Sequence, residues 1–314
     1  MNVNKPILVT GSHHSGTTWV GKMIAASPAV GYIHEPFNPI HRLGMCSANF
    51  EQWFYYINSE NAASYYSKFR DTVEFKYNLL AQLTDPNLSR GFKVAIYNYR
   101  QAIKDYQVFQ RYRLLKKRPL LKDPIAIFSA EWLAETFDMD VVVLVRHPAA
   151  FISSLKRQNE TYPFSHFLQQ PLLMRDHLYL FEEQIREYSK EERSIIDQGI
   201  LLWKIIHQVI INYQAKHENW LFLRHEDISR SPLDYFQRIF EKLGLMFQDE
   251  VKECIENYSK HSNPKAAPDN SSSIKLDSKA NIWNWKTRLT EEEISYIRSQ
   301  LKGIAEKFYC DTDW

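Results

Sequence analysis

Residues 6–24 read Pro6-Ile-Leu-Val-Thr-Gly-Ser-His-His-Ser-Gly-Thr-Thr-Trp-Val-Gly-Lys-Met-Ile24. The apolar, β-rich residues 7–10 predict a buried strand. Residues 11–16 form a loop with a glycine at each end, and the amphipathic residues 17–26 predict a helix that ends before Pro28. Free backbone N–H groups converge at such a helix start, and the helix dipole adds positive potential. The stretch therefore predicts an anion site.

The loop has the spacing of the nucleotide P-loop, G-x-x-x-x-G-K-[ST], with one difference. Thr17 stands where a P-loop has the lysine that reaches the β- and γ-phosphates of a triphosphate. This favours a site for a single phosphate-like group over an ATPase or kinase site. An atypical P-loop kinase, a non-catalytic nucleotide-binding protein and a plain strand-to-helix turn stay open as alternatives.

Composition predicts one globular domain. The 314 residues suffice for one large α/β domain with insertions or for two small ones, and we expect a single domain over 1–314. A net charge of +2 gives no case for bulk nucleic-acid binding, so a basic site must be local. The three widely spaced cysteines fit reduced thiols and neither a disulfide framework nor a zinc site. With no long apolar stretch, we expect a soluble, cytoplasmic protein without a membrane span.

A second informative stretch is the β-branched run at residues 141–145, which predicts a central parallel strand buried on both faces. Arg146 follows it directly, and Ser154 comes eight residues later. Nucleoside-triphosphate enzymes often end such a strand with an acidic metal ligand, whereas this strand ends with a cation. Arginine offers a bidentate fork to phosphate oxygens, and serine adds a neutral donor. A structural ion pair of Arg146 is the alternative.

The segment Ser15-Gly-Thr-Thr-Trp19 after an apolar strand resembles the cofactor loop of the sulfotransferases that use 3′-phosphoadenosine 5′-phosphosulfate (PAPS). The resemblance implies that the loop holds the 5′-phosphosulfate, that Trp19 stacks on adenine, and that Arg146 and Ser154 bind the 3′-phosphate. His14 departs from the family pattern, which usually has Lys or Arg before the Ser-Gly pair. The loop residues assigned to the cofactor are Ser12, His13, His14, Ser15, Gly16, Thr17 and Thr18.

Two later segments extend this resemblance. His225-Glu-Asp227 stands where the family often has Tyr-Glu-Asp, whose aromatic residue lies near adenine, so His225 is a candidate for that place. In the family, a polar loop before a Trp-(Lys/Arg) segment closes over the cofactor. Residues 261–288 match this arrangement and predict a mobile, cofactor-covering loop, with Lys286 as the first candidate for the cofactor phosphates and Arg288 as the reserve.

The candidate catalytic residues follow two further predicted strands. Glu35 begins a Glu-Pro-Phe-Asn segment that resembles the Glu-Pro segment of carbohydrate-type sulfotransferases, where the glutamate is a candidate base. A carboxylate after a strand also lies where α/β sheets bind ligands. Lys122 is a candidate to face the sulfuryl group, and Asp123 is the second candidate base, with N-capping of the next helix as its alternative role. His14 and Thr17 are candidates to stabilise charge on the leaving 5′-phosphate.

The remaining regions are less informative. The resemblance implies that residues 40–118 are an acceptor-side insertion, because the equivalent region of the family helps to form the acceptor site. The region is rich in aromatic and amide side chains, which suit stacking on a sugar or a flat small molecule, although packing explains any single aromatic residue as well. Residues 90–96 indicate a further strand. The basic residues 111–118 indicate a solvated helix face, with contact to an anionic acceptor as the alternative. Ser231 and Asp234 indicate a capping box at the start of a helix over residues 231–243, and Gly244 is predicted to end that helix. His207 is interpreted as a packing residue.

Together these patterns predict a three-layer, P-loop-like α/β fold with a parallel sheet and helices on both faces. The predicted reaction is sulfuryl transfer from PAPS to a hydroxyl group, or to an amine, of a glycan or small-molecule acceptor, with adenosine 3′,5′-bisphosphate (PAP) as the product. No metal is expected, because PAPS has no triphosphate to bridge.

Overall fold

One sheet of five parallel strands organises the protein in this computed structural model, which describes residues 5–83, 92–267 and 273–314. The strand order is β2-β3-β1-β4-β5, so β1 lies in the middle and the chain adds strands on both of its sides. Each neighbouring pair of strands is parallel. The strands are β1 (Ile7–Gly11), β2 (Val30–His34), β3 (Arg118–Lys122), β4 (Asp140–Val145) and β5 (Leu221–Arg224).

Helices connect the strands and cover the sheet. Pro124–Ser129 forms a 3₁₀ turn directly after β3, and Met174–Leu178 forms one π-helical turn. The α-helices of the described residues are α1 (Thr17–Ile24), α2 (Tyr66–Val73), α3 (Leu79–Leu83), α4 (Phe92–Leu114), α5 (Ala130–Phe137), α6 (Pro148–Gln158), α7 (Ser165–Leu168), α8 (Pro171–Leu173), α9 (Glu182–Tyr188), α10 (Ile195–Lys216), α11 (His225–Arg230), α12 (Pro232–Leu243), α13 (Asp249–Ser259), α14 (Ser278–Asn281), α15 (Trp285–Arg288) and α16 (Glu291–Leu301).

The two faces of the sheet bury separate hydrophobic cores, because successive side chains of a strand point to opposite faces. Ile7 and Val9 of β1 belong to one core, with buried residues of α1, α12 and α13. Leu8 of β1 belongs to the other core, with buried residues of α5, α6, α10 and α16. The three central strands β3, β1 and β4 are buried almost throughout, as continuous apolar runs such as residues 141–145 predict. The predicted three-layer α/β fold is confirmed.

The carboxyl ends of all five strands meet at one edge of the sheet, because the strands are parallel. The residues that follow these ends therefore come close together in space, although they are far apart in the sequence. This edge is where open α/β sheets bind ligands. The groups that follow the strands in chain order are the glycine-bounded loop at 11–16, Glu35, Asp123, Arg146 and His225.

Several local predictions are confirmed. Asp123 caps the turn after β3 by accepting a hydrogen bond from the backbone N–H of Ile125. Gly244 ends α12 in the left-handed conformation, with φ of 65°. His207 is fully buried and stacks on Trp203 at 3.7 Å between ring centroids, which is a packing role. All three cysteines are free thiols.

Three local predictions are wrong. Residues 92–96 belong to the helix α4 and not to a strand, while residues 90–91 lie outside the described part. In the basic run, Arg118 does not lie on a solvated helix face, because it begins β3, where its side chain is buried and pairs with the partly exposed Asp140. The capping box at α12 is not formed: Ser231 precedes Pro232 but makes no side-chain cap, and it also ends α11.

The segment 261–288 has two short helices, α14 and α15, in its second half, and its residues 268–272 lie outside the described part. Within the described ranges, no helix combines the length and the apolar character that a bilayer crossing requires.

Candidate active site

A cavity of about 950 Å³ opens at the carboxyl edge of the sheet. Its wall combines the glycine-bounded loop, the start of α1, the residue after β2, the residue after β4 and parts of α6, α11 and the segment 261–288. Most of the residues that the sequence singles out are brought together here. They are His13, His14, Gly16, Thr17, Thr18, Trp19, Glu35, Arg146, Ser154, His225 and Arg288.

The loop has the backbone geometry of an anion-binding nest at a helix start. Gly16 precedes α1 with φ of 87°, a left-handed conformation that glycine adopts without steric cost. A Cβ atom at Gly16 would lie 2.4 Å from Nδ1 of His225, so a side chain there would collide with the opposite wall. Ser12 and Ser15 belong to the loop but are buried, and the Ser15 hydroxyl donates to the Ser12 carbonyl. Neither serine is among the described residues that line the cavity.

Among the described residues, three arginines face the cavity: Arg146 after β4, Arg157 on α6 and Arg288 on α15. Burial lowers the pKa of Arg146, the Glu226 carboxylate opposes that effect, and the charges of Arg288 and Arg157 add to it. A site with several like charges close together suits a ligand with more than one negative group. Ser154, on α6 between Arg146 and Arg157 in the sequence, lines the same wall and donates its hydroxyl to the Ala150 carbonyl at 2.9 Å.

Arg157 was not singled out in the sequence analysis. It lies three residues after Ser154, and residues three apart on a helix share one face, so this spacing was the available signal. Its guanidinium also donates to the carbonyl of Ala267 at 3.1 Å, which connects α6 to the segment 261–288. Lys286, the first candidate from that segment, instead lies 4.7 Å from the ring centroid of Trp283 and 5.0 Å from that of Trp285. Arg288 is the member of that pair that lines the cavity.

Trp19 and His225 form an aromatic part of the wall. Their ring centroids are 6.0 Å apart in an edge-to-face arrangement, and Phe236 contacts Trp19 from another side at 5.4 Å. Trp19 is 6% exposed, so most of its indole is already packed against the protein. Burial and the nearby charge of Arg146 lower the pKa of His225 to about 3, so its imidazole is neutral at neutral pH.

Glu35 lies at the other part of the cavity, paired with Lys122. The Lys122 ammonium forms an ion pair with Oε1 of Glu35, and the Asn38 amide donates to Oε2 at 2.9 Å. Burial raises the pKa of Glu35, but the charges of Lys122 and His34 outweigh it, so the pKa lies below its ordinary value. Glu35 also has φ of 48°, an uncommon conformation for a residue with a side chain. The structure thus presents an ionised carboxylate to the cavity.

Asp123, the second candidate base, is fully buried and is not among the described lining residues. Its Oδ2 accepts from the backbone N–H of Phe37 at 2.6 Å, and its Oδ1 accepts from that of Ile125 at 3.1 Å. Burial and the nearby charge of Glu35 raise its pKa to about 8. Both oxygens therefore hold backbone groups, and the carboxyl connects the loop after β2 to the turn after β3.

One group of described side chains has the spacing of metal ligands. The ligand atoms of His13, His14 and Glu160 lie within 4.8 Å of one another. Nε2 of His14 is 2.8 Å from Oε2 of Glu160, so a hydrogen bond already joins two of the three groups. No sequence motif indicates Glu160, which lies two residues after the end of α6. The expectation that no metal is required stays a prediction.

Five buried nitrogen atoms around the cavity have no hydrogen-bond partner within the described part of the chain. An unpaired buried polar group is costly, so such atoms fit a ligand that supplies acceptors to most of them. They are His13 Nδ1, Trp19 Nε1, Arg146 Nε, Arg157 Nε and His225 Nδ1. Together with the arginines, they suit an anion with several oxygen atoms.

Comparison with known proteins finds sulfotransferases. Carbohydrate sulfotransferase 1 of Danio rerio is 26% identical over 88 residues, which are 28% of this chain and 21% of that protein, so the match spans about a fifth of this relative. The sulfotransferase domain of the Synechococcus PCC 7002 olefin synthase is 16% identical, with 98% of this chain and 95% of that domain covered and a TM-score of 0.48. Mouse sulfotransferase SULT7A1, solved in complex with PAP, is 12% identical, with coverages of 97% and 87% and a TM-score of 0.43.

The family model matches a much longer part of the chain than the 88 residues that align with the carbohydrate sulfotransferase. The profile of the sulfotransferase family matches residues 6–249, which run from the residue before β1 to the start of α13 and include the glycine-bounded loop, Glu35, Arg146 and His225. The matched range therefore contains every strand of the sheet. The chain belongs to the sulfotransferase family.

Proposed function

We propose that this protein transfers the sulfuryl group of PAPS to a hydroxyl group, or less favourably to an amine, of a glycan or small-molecule acceptor. The observation that carries the proposal is one cavity that holds both a cationic, donor-rich wall and an ionised carboxylate. The wall suits a bisphosphate nucleotide, and the carboxylate suits removal of a proton from an acceptor.

The residues of the wall fit the two ends of such a nucleotide. We assign Arg146 and Ser154 to the 3′-phosphate, as the family resemblance implies, and we add Arg157 and Arg288, which line the same cavity. The loop amides at the start of α1 are assigned to the 5′-phosphosulfate, with Thr17 and Thr18 as hydroxyl donors. Trp19 and His225 form the aromatic wall for adenine.

When bound, PAPS supplies the sulfuryl group: its S–O bond to the 5′-phosphate breaks as an S–O bond to the acceptor forms, which leaves PAP. Glu35 takes the proton of the acceptor hydroxyl, and its depressed pKa keeps it ionised to do so. Lys122 orients that carboxylate. His14 and Thr17 stabilise the charge that develops on the leaving phosphate. As in phosphoryl transfer, positioning and electrostatics supply most of the rate enhancement.

We further propose that the chain is a single sulfotransferase domain whose segment 261–288 covers the nucleotide. Seven of its described residues line the cavity, from Ala267 to Arg288. The proposed acceptor role of residues 40–118 has less support: no described residue of that range lines this cavity, and Phe50, Phe54 and Phe69 are buried in the core.

The experiment is calorimetry with PAP and with adenosine 5′-monophosphate (AMP), which lacks the 3′-phosphate. PAP is expected to bind at least about tenfold more tightly, because a hydrogen bond to a charged group is worth about 1.5–3 kcal/mol. Equal affinities would contradict the assignment of the 3′-phosphate. Transfer of radiolabelled sulfate from PAPS to a panel of hydroxyl and amine acceptors then tests catalysis. Tight binding of PAP without transfer to any acceptor would favour a non-catalytic nucleotide-binding protein.

A further inference from the structure

The peptide group between Arg146 and His147 is held at both of its polar atoms by side chains from other elements. The Arg146 carbonyl accepts a hydrogen bond from the indole Nε1–H of Trp203 on α10, at 3.0 Å. The His147 N–H donates to Oε1 of Glu226 on α11, also at 3.0 Å. This peptide is the point where β4 ends and α6 is about to begin.

Glu226 is itself fixed by a third element. Its Oε2 accepts from the hydroxyl of Tyr309, near the C-terminal end of the described chain, at 2.9 Å. Glu226 is 5% exposed and Tyr309 is 3% exposed, so neither group exchanges these bonds freely with water. Burial raises the pKa of Glu226 above its ordinary value, although the hydrogen bond from His147 and the nearby charge of Arg146 partly oppose this effect.

The peptide matters because the Arg146 side chain departs from it into the cavity. A peptide unit is planar, but the φ and ψ angles on either side of it can change unless its polar atoms are held. Here one hydrogen bond acts on each side of it, from α10 and from α11, so the direction of the Arg146 side chain is fixed by residues that do not line the cavity themselves. Arg146 also donates to the carbonyl of His14, which ties the same side chain to the glycine-bounded loop.

We propose that Trp203, Glu226 and Tyr309 are positioning residues that aim Arg146 at the 3′-phosphate and thereby set the preference for a 3′-phosphorylated nucleotide. This inference rests on the proposed function, because it requires that Arg146 bind that phosphate. The three residues act through the backbone and touch neither nucleotide nor acceptor.

The test measures the ratio of PAP to AMP affinity by calorimetry in variants of the full chain. Glu226→Ala removes both hydrogen bonds and is expected to lower the ratio by about 3- to 10-fold, the range that one or two hydrogen bonds provide. Glu226→Gln keeps an acceptor for the His147 N–H and can donate to the Tyr309 oxygen, so it is expected to retain the ratio. A purely structural role would weaken both nucleotides by the same factor and leave the ratio unchanged.

Tyr309→Phe is a second test variant, and Tyr213→Phe is its matched control. This pair also tests the positioning role if Glu226→Ala does not fold. Each removes one buried hydroxyl with one hydrogen bond, from Tyr309 to Glu226 or from Tyr213 to the carbonyl of Phe128 at 3.2 Å. The ratio should fall in Tyr309→Phe and stay at the wild-type value in Tyr213→Phe.

The outcomes separate this inference from the proposed function. A wild-type ratio near one overturns the proposed 3′-phosphate site and this inference with it. A clear wild-type preference that Glu226→Ala and Tyr309→Phe both retain overturns the positioning role alone. Loss of the preference in Glu226→Gln as well as in Glu226→Ala also overturns it, because then the charge, and not the hydrogen bonds, is what matters.

Discussion

The ammonium group of Lys122 pairs with the carboxylate of Glu35, and the Lys122 side chain is fully buried while 21% of the Glu35 side chain stays exposed. The pair follows from the sheet, in which His34 at the end of β2 is in register with Lys122 at the end of β3. Glu35 N–H also donates to the Lys122 carbonyl at 2.8 Å. The lysine thus lies behind the carboxylate and leaves its other side open to the cavity.

The first prediction separates the two candidate bases. Glu35→Gln should lower turnover at least about a hundredfold with PAP affinity unchanged, because loss of a general base costs about 10²–10⁴ in rate. Asp123→Asn should keep most of the activity but lose about 1–3 kcal/mol of stability, because an amide offers one acceptor oxygen for the two backbone N–H groups that Asp123 now holds. Turnover at saturating PAPS and urea unfolding measure the two effects.

The opposite pattern would reverse this assignment. If Glu35→Gln stays active while Asp123→Asn folds normally and is inactive, Asp123 is the base. Its pKa of about 8 would then shape the acid side of the activity profile, whereas a Glu35 base predicts an acid limb below the ordinary glutamate range.

The second prediction concerns Lys122. Lys122→Met leaves the partly exposed Glu35 carboxylate without its cationic partner, so the pKa of Glu35 should rise and the acid limb of kcat/KM should move to higher pH. The same change should destabilise the protein by about 1–3 kcal/mol, the cost of a partly buried charge that has lost its partner. The double variant Lys122→Met with Glu35→Gln carries no such charge and should recover part of that stability. An unshifted acid limb in Lys122→Met would show that the ion pair does not control the base.

The third prediction concerns Arg157, which only the structure identifies. Arg157→Ala should weaken PAP binding about tenfold or more, because it removes a charged donor from the cavity wall. Lys156→Ala is the matched control, since the neighbouring lysine is also cationic but pairs with Glu293 on α16. It should leave PAP affinity unchanged. Equal losses in both variants would indicate a general effect of net charge and not a contact.

The fourth prediction concerns metal. Because the proposed reaction has no triphosphate to bridge, EDTA should change neither PAP binding nor sulfuryl transfer. Loss of activity in EDTA, with recovery on addition of a divalent ion, would contradict this and direct attention to His13, His14 and Glu160, whose ligand atoms lie within 4.8 Å of one another. Magnesium-dependent ATP turnover would instead support the kinase alternative.

The sequence predicted the features that depend on local patterns. The apolar runs at 7–10 and 141–145 and the glycines at 11 and 16 predicted β1, β4 and the loop between β1 and α1, because strand burial and helix starts have short-range signatures. The prediction of a strand at residues 92–96 was wrong, because a short segment of mixed composition is compatible with a strand or with a helix. In the structure these residues belong to the long helix α4.

Contacts between distant segments had no signature in a single sequence. Lys122 and Glu35 were both singled out, but their pairing depends on the register of β2 and β3. Glu160, Trp203 and Tyr309 were not singled out, because each acts on a residue more than 50 positions away in the chain. The sheet brings them together, and only the three-dimensional structure shows that they meet.

The last prediction concerns stability in acid. Burial lowers the pKa of four histidines to about 3, namely His13, His147, His207 and His225. In the unfolded chain a histidine takes up its proton near pH 6.5, so between pH 6.5 and 3 the unfolded state binds more protons than the folded state.

Below about pH 6.5, each such histidine should therefore lower the free energy of unfolding by about 1.4 kcal/mol per pH unit as the pH drops. Asp123, whose pKa is raised to about 8, has the opposite effect between about pH 8 and pH 4 and offsets the slope of one histidine. Urea unfolding at pH 8, 6 and 5 measures this slope. His207→Phe removes one of the four groups, keeps an aromatic ring against Trp203, and loses the hydrogen bond that joins Nδ1 of His207 to the Trp203 carbonyl. It should lower stability at pH 8 but flatten the slope below pH 6 by about 1.4 kcal/mol per unit. The same slope in wild type and variant would mean that His207 takes up its proton in the folded protein and does not contribute to acid unfolding.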